Sequence, residues 1–488
     1  MIKNFKWLLL VSLSFVACDS NDENTVVEEP VSSGSANFAK YVALGDSFAA
    51  GYSDGALFKK GQEGSYVNIL SQQFAEAGGG EFKIPFMSDN IGGLLLGGKI
   101  IAASRLYFNG LRPATVNGMP TTEVSSVLAG PFNDLGVPGA KSYHLVAPGY
   151  GNVAGVATGA ANPYFARFAS SSGTTVLADA LMQTPTFFSL WIGGNDVLGY
   201  ATSGGVGVNQ TGNLNPATYG SNDITDPNVF ASVYSSIVTN LTANGAKGVV
   251  ANLPYVSTLP YFTTVPYNPV PLTAVVATQL NAGYAAYNGG LQFAASKGLI
   301  SVAEAAKRTI GFSAGSNAVV IEDSYLTNLT AYGIPSYRHA TPEDLMVLPS
   351  MNFIGTAIGG DPTKVNGVSV PLADKWVLSK EEIAEVKTAT DAYNVTIKAV
   401  VEAKGLAFVD TKTMMTQLST AGIVSNSFTL TATYVTGGAF SLDGVHPSPR
   451  GYALIANAFS TAINTKYSST LKKVDVGLYS ILYPAILP

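Results

Sequence analysis

The sequence predicts an α/β fold, a three-layer α/β/α sandwich around a parallel central sheet, and three observations lead there. Helical periodicity alternates with short, β-branched apolar runs through the body of the chain. Glycine or asparagine punctuates the ends of those elements. The runs are apolar enough to be strands covered on both faces, which is the parallel, doubly wound arrangement. At 488 residues there is room for one large or up to three ordinary domains.

Taken in order, residues 40–44 form a first strand that Gly45 ends, and residues 65–76 carry helical spacing through Val67, Ile69, Leu70 and Phe74. Residues 176–182 predict a helix that leads through Thr184 and Pro185 into a buried strand over 186–192, closed by Gly193 and Gly194. The unit repeats with an amphipathic helix over 229–241, stopped by Asn244 and Gly245, and a strand over 248–253. Ser379 with Glu381 and Glu382 opens a long helix to Lys404, Gly405 stops it, and residues 406–409 are the next strand. A last helix is expected over 452–463.

Two stretches break this rhythm. Residues 77–135 and 255–375 are rich in Gly, Pro, Thr, Asn and Ser and read as large insertions in one domain over 38–465, followed by a C-terminal extension over 466–488. Ala286-Tyr287-Asn288 ahead of Gly298-Leu299 matches Ala392-Tyr393-Asn394 ahead of Gly405-Leu406, which predicts two similar helix-to-strand connections.

Composition excludes several function classes. Twenty-seven Lys and Arg against 32 Asp and Glu, with no basic run of five, leave no electrostatic footprint for nucleic acid. The single cysteine, Cys18, rules out an internal disulfide and stands directly behind an apolar run. Residues 1–17 have the form of a signal peptide, with Lys3 and Lys6 ahead of an apolar segment too short to span a bilayer. A cysteine in this place resembles the lipobox of bacterial lipoproteins, which implies lipid attachment at Cys18, a membrane partner and a place in the cell envelope, with the outer membrane and its surface expected. Residues 18–37, with Asp19, Asp22, Glu23, Glu28 and Glu29, then form an extended acidic tether.

Chemistry concentrates at four places. Ser47, in Gly45-Asp46-Ser47, follows the first strand and so stands at a carboxyl end of the sheet, where open α/β sheets bind ligands. A serine hydroxyl is a poor nucleophile until a base takes its proton, and that base needs an acceptor to fix its tautomer. Asp443 and His446, three residues apart in Asp443-Gly444-Val445-His446, supply both in one loop. Asn195, in Gly193-Gly194-Asn195-Asp196, and Gly139, ending the loop 133–139, are suited to present an amide and a backbone N–H to a developing oxyanion.

With these blocks in this order over residues 43–452, the sequence resembles the SGNH (GDSL) hydrolases. The resemblance implies a flavodoxin-like fold, Ser47 as nucleophile, His446 as general base and then acid, and Asp443 as its orienting partner. It implies an oxyanion hole from Gly139, Asn195 and the N–H of Ser47, no cofactor or metal, and an ester substrate, either a lipid acyl ester or an acylated glycan. Phe48 stands where the family name has Leu, and Pro138 precedes Gly139. Two other readings share these features: an acyltransferase with the same acyl-enzyme, and a surface lipoprotein that binds glycan or protein without catalysis.

The remaining motifs have plainer readings. Ser313 lies in a Gly-x-Ser-x-Gly pattern, but a helical segment precedes it and a strand-like one follows, the reverse of a nucleophile elbow. His144 and His339 lack ligand spacing and are expected in the core or in solvent, Gly92-Gly93 and Gly97-Gly98 in turns, and Asp46 and Asp196 as turn caps. The Pro- and aromatic-rich segment from Pro254 to Pro271 is expected either to wall an acyl or leaving-group pocket through Tyr261 and Phe262 or to act as a stiff structural connector.

Overall fold

The computed structural model describes residues 30–488, so the signal-peptide reading, Cys18 and most of the acidic tether lie outside the described residues. The first central strand, β1 (Tyr41–Gly45), is buried along its length. Its last residue is glycine because a Cβ there would lie 2.7 Å from the Trp191 carbonyl oxygen. Asp46 caps the short helix α1 (Ser47–Ala50) by accepting the Phe48 N–H, and Ser65 caps α2 (Tyr66–Glu76) in the same way. Then come β2 (Asp134–Gly136), α3 (Val176–Leu181), β3 (Phe187–Trp191) and α4 (Asn195–Thr202). After α5 (Pro227–Thr242), β4 (Lys247–Ala251) and α6 (Ala274–Ser296), the chain reaches α7 (Lys380–Lys404). A capping box of Ser379 and Glu382 starts α7, and Gly405 in the left-handed region ends it. β5 (Ala407–Val409), α8 (Thr411–Ser419) and α9 (Pro449–Tyr467) complete the frame.

The five central strands are all parallel, in the order β5-β4-β3-β1-β2. The chain therefore steps outward from β1 to β2 and then back across β1 to β3, β4 and β5. That reversal opens a crevice between the carboxyl ends of β1 and β3, the position where doubly wound sheets hold ligands. Register brings Gly45, Gly136 and Trp191 level at that edge. α2 packs on α9, while α5 packs on both α3 and α7.

Several expectations need correction. Residues 77–135 are not wholly an insertion, because Asp134–Gly136 at their end is the edge strand of the sheet. With three residues, the first a carboxylate, it carries no apolar run to detect. Residues 255–375 contain the 23-residue helix α6, whose Gly283, Gly289 and Gly290 interrupt the helical pattern. Gly298-Leu299 leads into a helix, Val302–Arg308, and only the α7–β5 member of the matched pair is a helix-to-strand connection. The last helix is longer than 452–463, beginning with Pro449 behind the cap Ser448. The expected tether is already fixed by Ser32, whose N–H donates to Thr470 Oγ1, and Ser35 N–H donates to the Tyr467 carbonyl.

The main apolar core follows the sheet. Residues 265–377 bury a separate cluster that includes Val270, Tyr284, Ile321, Met346 and Leu372. Arg338, paired in full burial with Asp323 and Asp344, ties that segment together. Buried Arg105 donates to the carbonyls of Pro484 and Ala485, which fastens the C-terminal extension to the first insertion. No helix among the described residues is long and apolar enough to cross a membrane.

Candidate active site

Ser47 is the first residue of α1 and is 5% exposed at the carboxyl end of β1. His446, 399 positions away, places Nε2 2.8 Å from Ser47 Oγ. Its Nδ1 lies 2.8 Å from Asp443 Oδ2. The other carboxylate oxygen, Oδ1, accepts the N–H groups of Val445 and His446, so one loop carries the acid and orients it. Burial alone pushes the Asp443 carboxyl up, but the His446 ring and these N–H donors outweigh it and hold the group below the usual carboxylate range. The three residues singled out from sequence are thus one hydrogen-bonded chain, in the geometry that lets an imidazole take a serine proton.

Residues 53–55, directly after α1, hold that loop against the serine. Ser53 Oγ donates to the Pro447 carbonyl, Asp54 N–H to Ser441 Oγ, and Gly55 N–H to Asp443 Oδ2. Asp54 returns the contact by accepting the Leu442 N–H, and burial pushes its carboxyl up to about 7. Gly444 has φ +72°, and a Cβ on it would stand 2.9 Å from Tyr261 N, whose N–H donates to the Gly444 carbonyl. Two aromatic rings also stand beside the imidazole, Phe48 at 5.4 Å and Tyr52 at 4.6 Å between centroids, both close in sequence to Ser47. Sequence reasoning did not single out Ser53, Asp54, Gly55 or Tyr52. The only local signal was proximity to Ser47, because their partners lie more than 380 positions away.

The two residues expected to form the oxyanion hole come from the neighbouring strands. Gly139 follows β2 with φ +80°, and Asn195 opens α4 after β3. Asn195 Nδ2 donates to the Ala140 carbonyl at 3.0 Å, which pins the Gly139 loop and leaves the second amide hydrogen available. Asn162 Nδ2 holds the same loop by donating to the Pro138 carbonyl. Among the described residues, neither the Ser47 N–H nor the Gly139 N–H has a protein acceptor. Asp46 caps its turn as expected, and burial pushes its carboxyl up to about 7. Asp196 does something else: fully buried, it accepts both the N–H and the hydroxyl of Ser142, tying α4 to the Gly139 loop.

The other sequence candidates stand apart from this chain of contacts. Ser313 lies between the helix Val302–Arg308 and the strands Gly315–Asn317 and Val320–Glu322, in the order that excludes an elbow. His144 accepts the Lys141 N–H and stacks on Tyr150, and His339 bonds backbone of Gly311 and Ala318. Phe262 is 1% exposed in the main core, whereas Tyr261 is half-buried and braces the Gly444 turn; Pro254 and Leu259 of the same segment line an apolar cavity. No family model, no curated protein and no solved structure matches the chain.

Proposed function

We propose that the chain is a serine esterase of the SGNH (GDSL) type, hydrolysing carboxylic esters through an acyl-enzyme on Ser47. The observation that carries this is the Asp443–His446–Ser47 chain, with both of its side-chain contacts at 2.8 Å. Ser47 Oγ attacks the ester carbonyl carbon while its proton passes to His446 Nε2. The carbonyl oxygen becomes an oxyanion received by the N–H groups of Ser47 and Gly139 and the amide of Asn195. Collapse breaks the bond to the alcohol oxygen, which leaves with the proton from His446. A water that gives its proton to His446 then attacks the acyl carbon, and the bond to Ser47 Oγ breaks as His446 returns that proton to the oxygen, releasing the acid.

The strand order and the pairing of α2 with α9 and of α5 with α3 and α7 support a three-layer, flavodoxin-like sandwich for this domain. Lipid attachment at Cys18 and a place in the cell envelope belong to the same proposal, on the strength of residues 1–18 alone. The test is hydrolysis of p-nitrophenyl esters by the full chain in detergent, beside Ser47→Ala. A loss of about 10³-fold or more in kcat is expected. Equal rates in the two proteins would overturn the assignment.

A further inference from the structure

Behind the nucleophile lies a small apolar cavity of about 50 Å³, walled by Trp191, Met414, Met415, Leu418, Phe440 and Ile455. Phe48 and Pro447 also line it, and these are the residues that directly follow Ser47 and His446. The cavity therefore adjoins the reacting groups on the side of β4 and β5, away from Gly139 on β2. We propose that this cavity receives the acyl chain of the substrate and sets the substrate class as esters of short-chain acids. The inference rests on the esterase reading of Ser47.

Polarity and size both argue for it. The two polar groups on the wall are already used, because the Trp191 indole N–H and the Thr411 hydroxyl both donate to the Asn252 carbonyl. A buried water needs two to four polar partners, so this wall suits a hydrocarbon instead. A cavity of about 150 Å³ holds the six carbons of benzene, so 50 Å³ admits roughly two chain carbons. That exceeds what acetyl needs and falls short of a long fatty chain.

The rim is formed by the half-buried members of the wall. Phe48 lines the cavity and has its ring centroid 4.8 Å from that of Trp191 and 5.4 Å from that of His446. Met414 on α8 is likewise half-buried, whereas Met415 and Leu418 behind it are buried. A side chain at 414 can therefore fill or enlarge the chamber without entering the Asp443–His446–Ser47 chain.

The test compares kcat/KM of the full chain for p-nitrophenyl acetate, butyrate and octanoate, in the native protein, Met414→Trp and Met414→Ala. Burying two further methylenes should favour butyrate over acetate by about tenfold, with octanoate falling back. Met414→Trp should reduce the butyrate preference to about twofold, with circular dichroism and thermal unfolding reporting that the variant has folded. Met414→Ala should move the optimum toward octanoate. A parallel reaction with p-nitrophenyl methyl- and butylphosphonate, followed by mass spectrometry of Ser47, reads the nucleophile independently of turnover. Ester ratios that are flat in the native protein, or unchanged in both variants while Ser47 still reacts, overturn the acyl pocket alone. No hydrolysis and no phosphonate adduct overturn the esterase reading beneath it.

Discussion

His446 owes its position to contacts of different kinds. Asp443 accepts from one ring nitrogen, Ser47 faces the other, and Phe48 and Tyr52 stand beside the ring. Asp443→Asn keeps the volume but removes the charge that fixes the tautomer, so kcat should fall about 10²- to 10⁴-fold with the melting temperature little changed; steady-state kinetics and calorimetry on the same sample decide it. Asn195→Ala removes both the proposed oxyanion donor and the bond that pins Ala140. The expected loss is about 10²- to 10³-fold in kcat with KM nearly constant, because the interaction strengthens only as charge develops on the oxygen. A fall in affinity with kcat unchanged would instead place Asn195 in ground-state binding.

The loop 441–447 works as an element because two separate segments grip it. Residues 53–55 make four of the bonds, Tyr261 supplies another, and the loop's own Asp443 turns back on Val445 and His446. Gly444 is the hinge of this arrangement, at φ +72° with Tyr261 N in the space a Cβ would need. Gly444→Ala should cost roughly 1–3 kcal/mol in stability and reduce ester hydrolysis further than that loss explains, since the strain displaces the loop that carries both Asp443 and His446. Denaturant unfolding and kinetics measured side by side would reveal the excess, and activity that falls only in step with the folded fraction would rule it out.

At the scale of the whole molecule, buried carboxylic acids give stability a distinct pH dependence. Burial pushes Asp46, Asp54 and Asp134 up to about 7 each. In the unfolded chain such groups titrate near 4, so between about pH 4 and 7 the folded protein binds more protons. Their contribution is complete below pH 4 and is lost as the pH rises through about 7. Asp443 has the opposite sign: its contribution is present above pH 4 and is lost as the pH falls through its depressed value. Asp54 is 1% exposed and its Oδ2 has no hydrogen-bond partner. Asp54→Asn keeps an acceptor for the Leu442 N–H and removes the titration, so it should flatten the decline in stability between pH 5 and 8 by roughly 2–4 kcal/mol. Urea unfolding at the two pH values measures this, and parallel curves for the two proteins would refute it.

Much of the frame was legible in the residues, because the signals that mark it are local. Apolar runs ended by Gly45, by Gly193 and Gly194, and by a capped helix such as Ser379 to Gly405 locate strands and helices without knowledge of their partners. The residues of the candidate site were legible for the same reason: a serine behind a strand and an Asp-x-x-His loop are short patterns whose chemistry depends on side-chain type. β2 and α6 were hidden because a three-residue edge strand and a glycine-interrupted helix draw their stability from neighbours rather than from their own periodicity. Only the tertiary structure decided that residues 53–55 hold the His446 loop, that Asp196 serves Ser142 rather than a turn, that Phe262 belongs to the core, and that an apolar chamber lies behind Phe48. Each of these joins segments far apart in the chain, and which of them meet is set by the order of strands across the sheet, a property of the packed whole.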